Sequence, residues 1–165
     1  GSSYTALVSM IQELAPEYDQ EEVITLLSKN LLQDIANDSA QVVEDVITGR
    51  KLVGITLEET ALKYIAKGED IGMIYPEEGT TAVPDGCAIV ENAPHQGNAE
   101  LFVEFMVSED VQRLLEEQLF RRSVRTDITQ KQTLKEFIYD MQYAEEHREE
   151  ILDCWMQQNA SDTKE

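Results

Sequence analysis

Three neighbouring hydroxyl side chains near residue 1 have the type and spacing to bind a small anion. Ser2, Ser3 and Tyr4 stand at the start of a predicted helix, in the stretch "GSSYTAL". The N–H groups of a first helical turn have no partners within the helix, and the helix dipole adds positive potential there. Hydroxyl groups beside those N–H groups therefore suit a phosphate or phosphonate group. The alternative is that these residues only cap the helix.

Two further segments carry polar residues directly after an apolar run. In "VGITLEE", Thr56 lies between the run and the next predicted helix, which repeats the arrangement at Ser2 and Ser3. In "IGMIYPEEGT", Tyr75 ends the run and Glu77 follows it closely. Tyr75 would offer a ring face and a hydroxyl, and Glu77 would accept a hydrogen bond from a ligand. A plain helix cap at Thr56 and an ordinary exit from a strand into a loop at Tyr75 are the alternatives.

Catalytic motifs are missing from the sequence. His95 falls in a loop and His147 in a charged helix, and no P-loop, dinucleotide glycine motif, serine elbow or HExxH motif occurs. Adjacent glutamate pairs recur, but such pairs are typical of solvated helix faces. Cys87 and Cys154 are far apart and form no zinc-binding pattern. We therefore expect no enzymatic activity, no cofactor and no structural metal.

The charge balance narrows the range of partners. The chain has 33 acidic and 13 basic residues, which gives a formal net charge of -20. A field of that sign repels phosphate backbones, so we expect no nucleic-acid partner. An anionic ligand would need a local site of N–H groups and hydroxyls, because the overall field opposes it. No run is long and apolar enough to span a membrane, and no signal peptide opens the sequence.

Hydrophobic periodicity predicts helices separated by short apolar runs. Asp19 and Glu22 have the spacing of a capping box at the start of a second helix. Residues 52–55, 71–75 and 87–90 are short, apolar and rich in β-branched side chains, which is typical of strands. Such alternation predicts an α/β domain with a mainly parallel sheet flanked by helices. In such sheets ligands bind beyond the carboxyl ends of the strands, near helix N-termini.

Several segments, taken in order, resemble a known family. They are "SSYTAL", "VVEDVITGRKLVGITLEETALKYIAKGEDIGMIYPEEGT", "PDGCAIVENAPHQGNAELFVEFMVSEDVQ", "RRSVRTDI" and the closing "YAEEHREEILDCW". Together they resemble the C-terminal half of the extracellular solute-binding proteins of ABC importers, which have the type 2 periplasmic-binding fold. The subgroup that they resemble handles ferric iron, phosphonates or phosphorylated metabolites.

The resemblance implies one lobe of a two-lobed fold, with the N-terminal lobe largely missing from these residues. Residues 1–80 would form the α/β core of lobe two. Residues 81–128 would return through the hinge and supply a strand and helices derived from lobe one. Residues 129–165 would be C-terminal helices that pack back on lobe two. The run 87–90 would then be an exposed strand edge, and we expect self-association through it.

The resemblance also implies a function. The chain would be the substrate-binding component, in part, of an ABC importer, and would bind a small anionic solute such as a phosphonate or phosphorylated metabolite by cleft closure. Its partners would be that solute and the membrane permease, and its location extracytoplasmic. The residues implied at the ligand are Ser2, Ser3, Tyr4 and Thr56 around the anionic group, and Tyr75 and Glu77 at the remainder or the hinge.

Two alternatives to an anionic solute in transport stay open. One is a ferric-iron transport protein with Tyr75 as a ligand, although Pro76 stands where ferric-binding relatives commonly have a second tyrosine. The other is the extracytoplasmic sensing lobe of a signalling receptor, because the same fold hosts both functions.

Overall fold

The regular elements of the chain are all α-helices in a computed structural model that describes residues 2–31, 34–130 and 133–160. Over those residues no sheet forms, and an isolated parallel bridge joins Thr80 to Glu136. The helices are α1 (Ser2–Leu14), α2 (Gln20–Leu31), α3 (Ser39–Ile47), α4 (Glu58–Ala66), α5 (Gln96–Met106), α6 (Glu109–Leu119), α7 (Met141–Glu146) and α8 (Arg148–Ala160).

The chain divides into two compact units, each assembled from separate segments. The first unit comprises Gly1–Asn37, Tyr75–Ala82 and Leu134–Glu165. The second comprises Asp38–Ile74 and Val83–Thr133. Helices α1, α2, α7 and α8 therefore belong to the first unit, and α3 to α6 belong to the second.

An apolar core holds the first unit together. Helical spacing places its side chains on the facing sides of α1, α2 and α8. Val8, Ile24 and Ile151 are 0% exposed at its centre. Removing such a side chain from water contributes about 1.5–3 kcal/mol. The buried members of the core are Leu7, Val8, Ile11, Val23, Ile24, Ala144 and Ile151.

The start of α2 confirms the predicted capping box. The Glu22 amide donates to Asp19 Oδ1 at 2.9 Å, and the Asp19 amide donates to Glu22 Oε2 at 2.9 Å. These two bonds satisfy two N–H groups that the helix itself leaves without acceptors.

Polar contacts connect the helices of the second unit. Arg122 pairs with Glu58 at the start of α4 through two hydrogen bonds of 2.8 and 2.7 Å. Gln112 of α6 is buried and accepts hydrogen bonds from the Val124 amide and the Ser123 hydroxyl. Few apolar side chains are buried among the described residues of this unit: Val43, Ala61 and Ile128.

The predicted α/β fold with a mainly parallel sheet is wrong, because the three expected strands form no sheet over the described residues. Leu52, Ile74 and Val90 are 93%, 91% and 77% exposed, whereas the strands of a parallel sheet are buried on both faces. The run 52–55 instead lies against α3, since a Cβ at Gly54 would come within 2.5 Å of Val42 Cγ1. Apolar, β-branched composition suits a strand, but a strand also needs a neighbour, which the local sequence does not specify.

Candidate functional site

The first turn of α1 presents exposed hydroxyl groups next to backbone N–H groups that have no acceptor within the helix. Ser2 and Ser3 are exposed and lie within the helix, which already begins at Ser2. The backbone N–H groups of this turn have no acceptor within the helix. The first turn of α1 contains no acidic residue, although the chain as a whole is strongly acidic. In the described chain, this turn therefore places no carboxylate against an anion.

Tyr4 forms a structural contact between α1 and α7. Its hydroxyl donates to the Ala144 carbonyl oxygen at 2.5 Å, and the Arg148 guanidinium lies 4.8 Å from the centre of its ring. Burial and the nearby Tyr139 raise the pKa of the Tyr4 hydroxyl, and Arg148 acts in the opposite direction. The hydroxyl therefore keeps its proton and directs it to Ala144. A ligand at Tyr4 would find an acceptor oxygen rather than a donor.

Thr56 belongs to the second unit and does not cap a helix. Its hydroxyl donates to the Ser39 carbonyl oxygen at 3.0 Å, and the N-cap of α4 is Leu57, without a side-chain cap bond. The first turn of α4 contains Glu58 and Glu59. These carboxylates put negative charge at that end of α4, and Arg121 and Arg122 pair with them. The Thr56 hydroxyl donates to Ser39, so it offers an anion no donor.

The segment "YPEEGT" makes a tight turn within the first unit. The Gly79 amide donates to the Pro76 carbonyl oxygen at 3.2 Å, which closes the turn. Gly79 has a φ of 127°, and a Cβ there would lie 2.8 Å from the Lys135 carbonyl oxygen. Glycine is required at this position both by the backbone angle and by the close approach. The apolar run ends at Tyr75 because the chain enters this turn.

Backbone bonds connect that turn to the segment before α7. The Thr80 amide donates to the Lys135 carbonyl oxygen at 3.0 Å, and the Phe137 amide donates to the Thr80 carbonyl oxygen at 3.1 Å. Thr81 Oγ1 lies 3.0 Å from Ser9 Oγ of α1. Ser9 is seven residues from Ser2, a separation of about 10 Å along the helix axis.

The structure places five of the six predicted residues in one unit. Tyr75 is half-buried and the Glu77 side chain is exposed at the turn. Thr56 lies in the other unit. The five that share the first unit are Ser2, Ser3, Tyr4, Tyr75 and Glu77.

Two basic residues beside the predicted residues were not found from the sequence. Lys135 Nζ donates to the Glu77 carbonyl oxygen at 2.9 Å, and Arg148 lies over the Tyr4 ring. Both are distant in sequence from the residues that they contact, so no local pattern could have indicated them. They bring positive charge to a unit of a strongly acidic chain, which partly offsets the field that opposes an anion.

The groups at α1 and at the turn suit non-covalent binding of a ligand. Over the described residues, His, Cys, Asp and Glu side chains form no group of three that would hold a metal ion. None of the helices described reaches the length and apolarity that crossing a membrane requires.

Comparison with known families identifies the class of binding protein. Residues 1–144 match the family model described as bacterial extracellular solute-binding protein. The match covers most of the chain, which therefore belongs to this family. No curated protein and no solved structure matches the chain. The general prediction of an extracellular solute-binding protein of a transport system is thereby confirmed.

Proposed function

We propose that the chain binds a small anionic solute, such as a phosphonate or a phosphorylated metabolite, as the substrate-binding component of an ABC importer. The observation that carries this proposal is the family match over residues 1–144. A family of extracellular solute-binding proteins implies a small solute and a membrane permease as partners. We propose a location in the periplasm or on the cell surface.

The anionic class of solute is supported by the first turn of α1. Ser2 and Ser3 offer exposed hydroxyls beside N–H groups that have no acceptor within the helix, and no carboxylate of the described α1 competes in that turn. Tyr4 directs its hydroxyl proton to Ala144 and would not donate to the anion, but the Arg148 guanidinium over its ring adds positive charge. This end of α1 is the most favourable of the predicted positions for a phosphonate or phosphate group.

The other predicted residues would contact the rest of the solute. Glu77 would accept from an amine or hydroxyl group, and Tyr75 would pack against the solute. A role for Thr56, which belongs to the second unit, stays a prediction. Binding would stabilise the conformation that makes more contacts with the solute, with no covalent step and no cofactor. The assignment of residues 1–80, 81–128 and 129–165 to lobe two, hinge return and C-terminal helices stays a prediction.

A thermal-shift screen tests the solute class. We expect 2-aminoethylphosphonate or a phosphorylated metabolite to raise the melting temperature, because a ligand at 100 times its Kd stabilises a protein by about 2.7 kcal/mol. The double variant Ser2→Ala, Ser3→Ala should reduce that shift. Ser39→Ala is the matched control, since Ser39 also opens a helix without acidic residues in its first turn, in the other unit.

The same screen distinguishes the alternative solute. If only ferric citrate raises the melting temperature, and Tyr75→Phe abolishes that rise, the solute is ferric iron and not an organic anion. If the solute raises the melting temperature equally in the double serine variant and in the unmodified chain, Ser2 and Ser3 do not contact the solute.

Self-association through residues 87–90 is the second part of the proposal. Val90 is 77% exposed and Cys87 is exposed, so this apolar run is accessible to a second copy. The net charge of -20 opposes association at low salt, so the dimer fraction should rise with ionic strength. Light scattering on Val90→Asp should then show less association than on the unmodified chain. A strict monomer at high protein concentration and high salt would contradict this part.

A further inference from the structure

Helix α5 carries an exposed apolar stripe in the second unit. Leu101, Phe102 and Phe105 are 64%, 56% and 58% exposed. Phe105 follows the other two by four and three residues, so the three side chains are neighbours on one face of the helix. Val103 and Met106, on another face, are half-buried, and no residue of α5 is buried among the described residues.

The run 87–90 leads into this helix. Val90 is 77% exposed and Ile89 is 38% exposed. The Ala93 amide donates to the Val90 carbonyl oxygen at 3.1 Å, which closes a turn between the run and α5. A short turn within the second unit thus joins the two exposed apolar segments.

The exposed area of these segments matches what a dimer interface requires. At about 100 Å² for each of the five side chains, they present on the order of 500 Å² of apolar surface per copy. A standard interface buries about 800 Å² on each partner, of which roughly 60% is apolar. The apolar area needed on each partner is therefore also about 500 Å². The five side chains are Ile89, Val90, Leu101, Phe102 and Phe105.

The distribution of charge favours contact through the second unit over contact through the first. The second unit has 16 acidic and 9 basic residues, which leaves a formal charge of -7. The first unit has 17 acidic and 4 basic residues, which leaves -13. Like charges repel, so two copies that meet through their second units experience less repulsion than two that meet through their first units.

We propose that two copies of the chain form a dimer in which Ile89, Val90 and the apolar stripe of α5 contact the same surface of the second copy. A twofold contact uses one surface on both copies, so the surface described is sufficient. This inference rests on the proposed self-association through residues 87–90 and extends that surface to α5. It does not depend on the solute that the chain binds.

Sedimentation equilibrium of the whole chain in high salt tests this inference. We expect the average mass to rise from monomer towards dimer as the protein concentration increases. The double variant Phe102→Ser, Phe105→Ser should weaken dimerisation by about tenfold or more, because aromatic side chains at the centre of an interface carry much of its binding energy. Both residues are more than half exposed, so the variant should keep the melting temperature of the unmodified chain.

A second variant should strengthen the same contact. Glu104 is exposed and follows Leu101 by three residues, at the edge of the stripe. Each copy brings this carboxylate to the border of the dimer, where like charges repel. Glu104→Gln should therefore tighten dimerisation several-fold at low salt. Glu117→Gln, at an exposed position of α6 in the same unit, is the matched control and should tighten it less.

A further control separates this surface from other exposed apolar segments. Leu52 and Val53 are 93% and 82% exposed in the same unit. The double variant Leu52→Ser, Val53→Ser should leave dimerisation unchanged.

Three results would overturn the inference. A strict monomer at high protein concentration and high salt would exclude both the dimer and the proposed self-association. Dissociation by Val90→Asp without an effect of the double phenylalanine variant would keep the self-association and exclude α5 from it. Equal effects of the double phenylalanine variant and of Leu52→Ser, Val53→Ser would show that the copies associate without a defined surface.

Discussion

The two units of the chain are stabilised by different kinds of contact. In the first unit, α1, α2 and α8 enclose an apolar core with Val8, Ile24 and Ile151 at 0% exposure. In the second unit, the helices are connected by ion pairs and a buried glutamine, and most of the exposed large apolar side chains of the described residues lie there. The first unit thus has a core of its own, while the second has more exposed large apolar side chains among the described residues.

The largest expected effect comes from removing core side chains of the first unit. Ile24→Ala should destabilise it by about 2–5 kcal/mol, because the cavity adds to the lost burial. Val43→Ala in the second unit should lower the free energy of unfolding by less, because valine loses fewer buried atoms than isoleucine. Urea unfolding followed by the fluorescence of Trp155, the single tryptophan, reports on the first unit. Leu26→Ala, on the exposed side of α2, is the control. Equal costs at Ile24 and Leu26 would refute the core described for this unit.

A smaller effect is expected at Tyr4. Tyr4→Phe removes the hydroxyl bond to Ala144 and should cost about 1 kcal/mol at neutral pH. Burial raises the pKa of Tyr4, so the folded state holds this proton more tightly than the unfolded chain. Stability should therefore fall as the pH rises above about 10, and the fall should be shallower in Tyr4→Phe.

The matched variant for this pH effect lies in the second unit. The pKa of Tyr64 is also raised, chiefly by its hydrogen bond to Glu44, but that bond is exposed, whereas the bond of Tyr4 is partly buried. Tyr64→Phe should change the alkaline slope of Trp155-monitored unfolding less than Tyr4→Phe does. A larger change of the alkaline slope in Tyr64→Phe than in Tyr4→Phe would contradict this expectation.

The smallest effect is expected at the ion pair of the second unit. Arg122 and Glu58 are 23% and 25% exposed, and they form two hydrogen bonds. A double-mutant cycle with Arg122→Met and Glu58→Gln should give a coupling of about 0.5–1 kcal/mol, in the range of partly exposed pairs. Hydrogen exchange of α4 is the readout. The coupling should decrease in 1 M salt, and a coupling that is insensitive to salt would exclude an electrostatic origin.

Local patterns predicted the helices better than they predicted the sheet. The capping box at Asp19 and Glu22 was readable because both partners lie within one turn. The runs 52–55, 71–75 and 87–90 have strand-like composition, yet a strand depends on pairing with a distant segment, and no strand forms at these runs in the described chain.

The candidate site was readable to a similar extent. The position of Ser2 and Ser3 in the first turn of α1 could be predicted from the sequence, and their role in binding stays a prediction. The engagement of Tyr4 with Ala144 and of Thr56 with Ser39 depends on residues 140 and 17 positions away, which no local motif encodes. Lys135 and Arg148 were missed for the same reason.

The most direct test of the proposed anion site is an NMR titration of the amide signals with ethylphosphonate, which carries no amine. We predict the largest shifts at Ser2, Ser3 and Tyr4, with smaller shifts at Glu77 and Gly79. Saturable shifts there, reduced in Ser2→Ala with Ser3→Ala, would support an anionic solute at the first turn of α1. No saturable shift at α1, or shifts confined to the second unit, would contradict it.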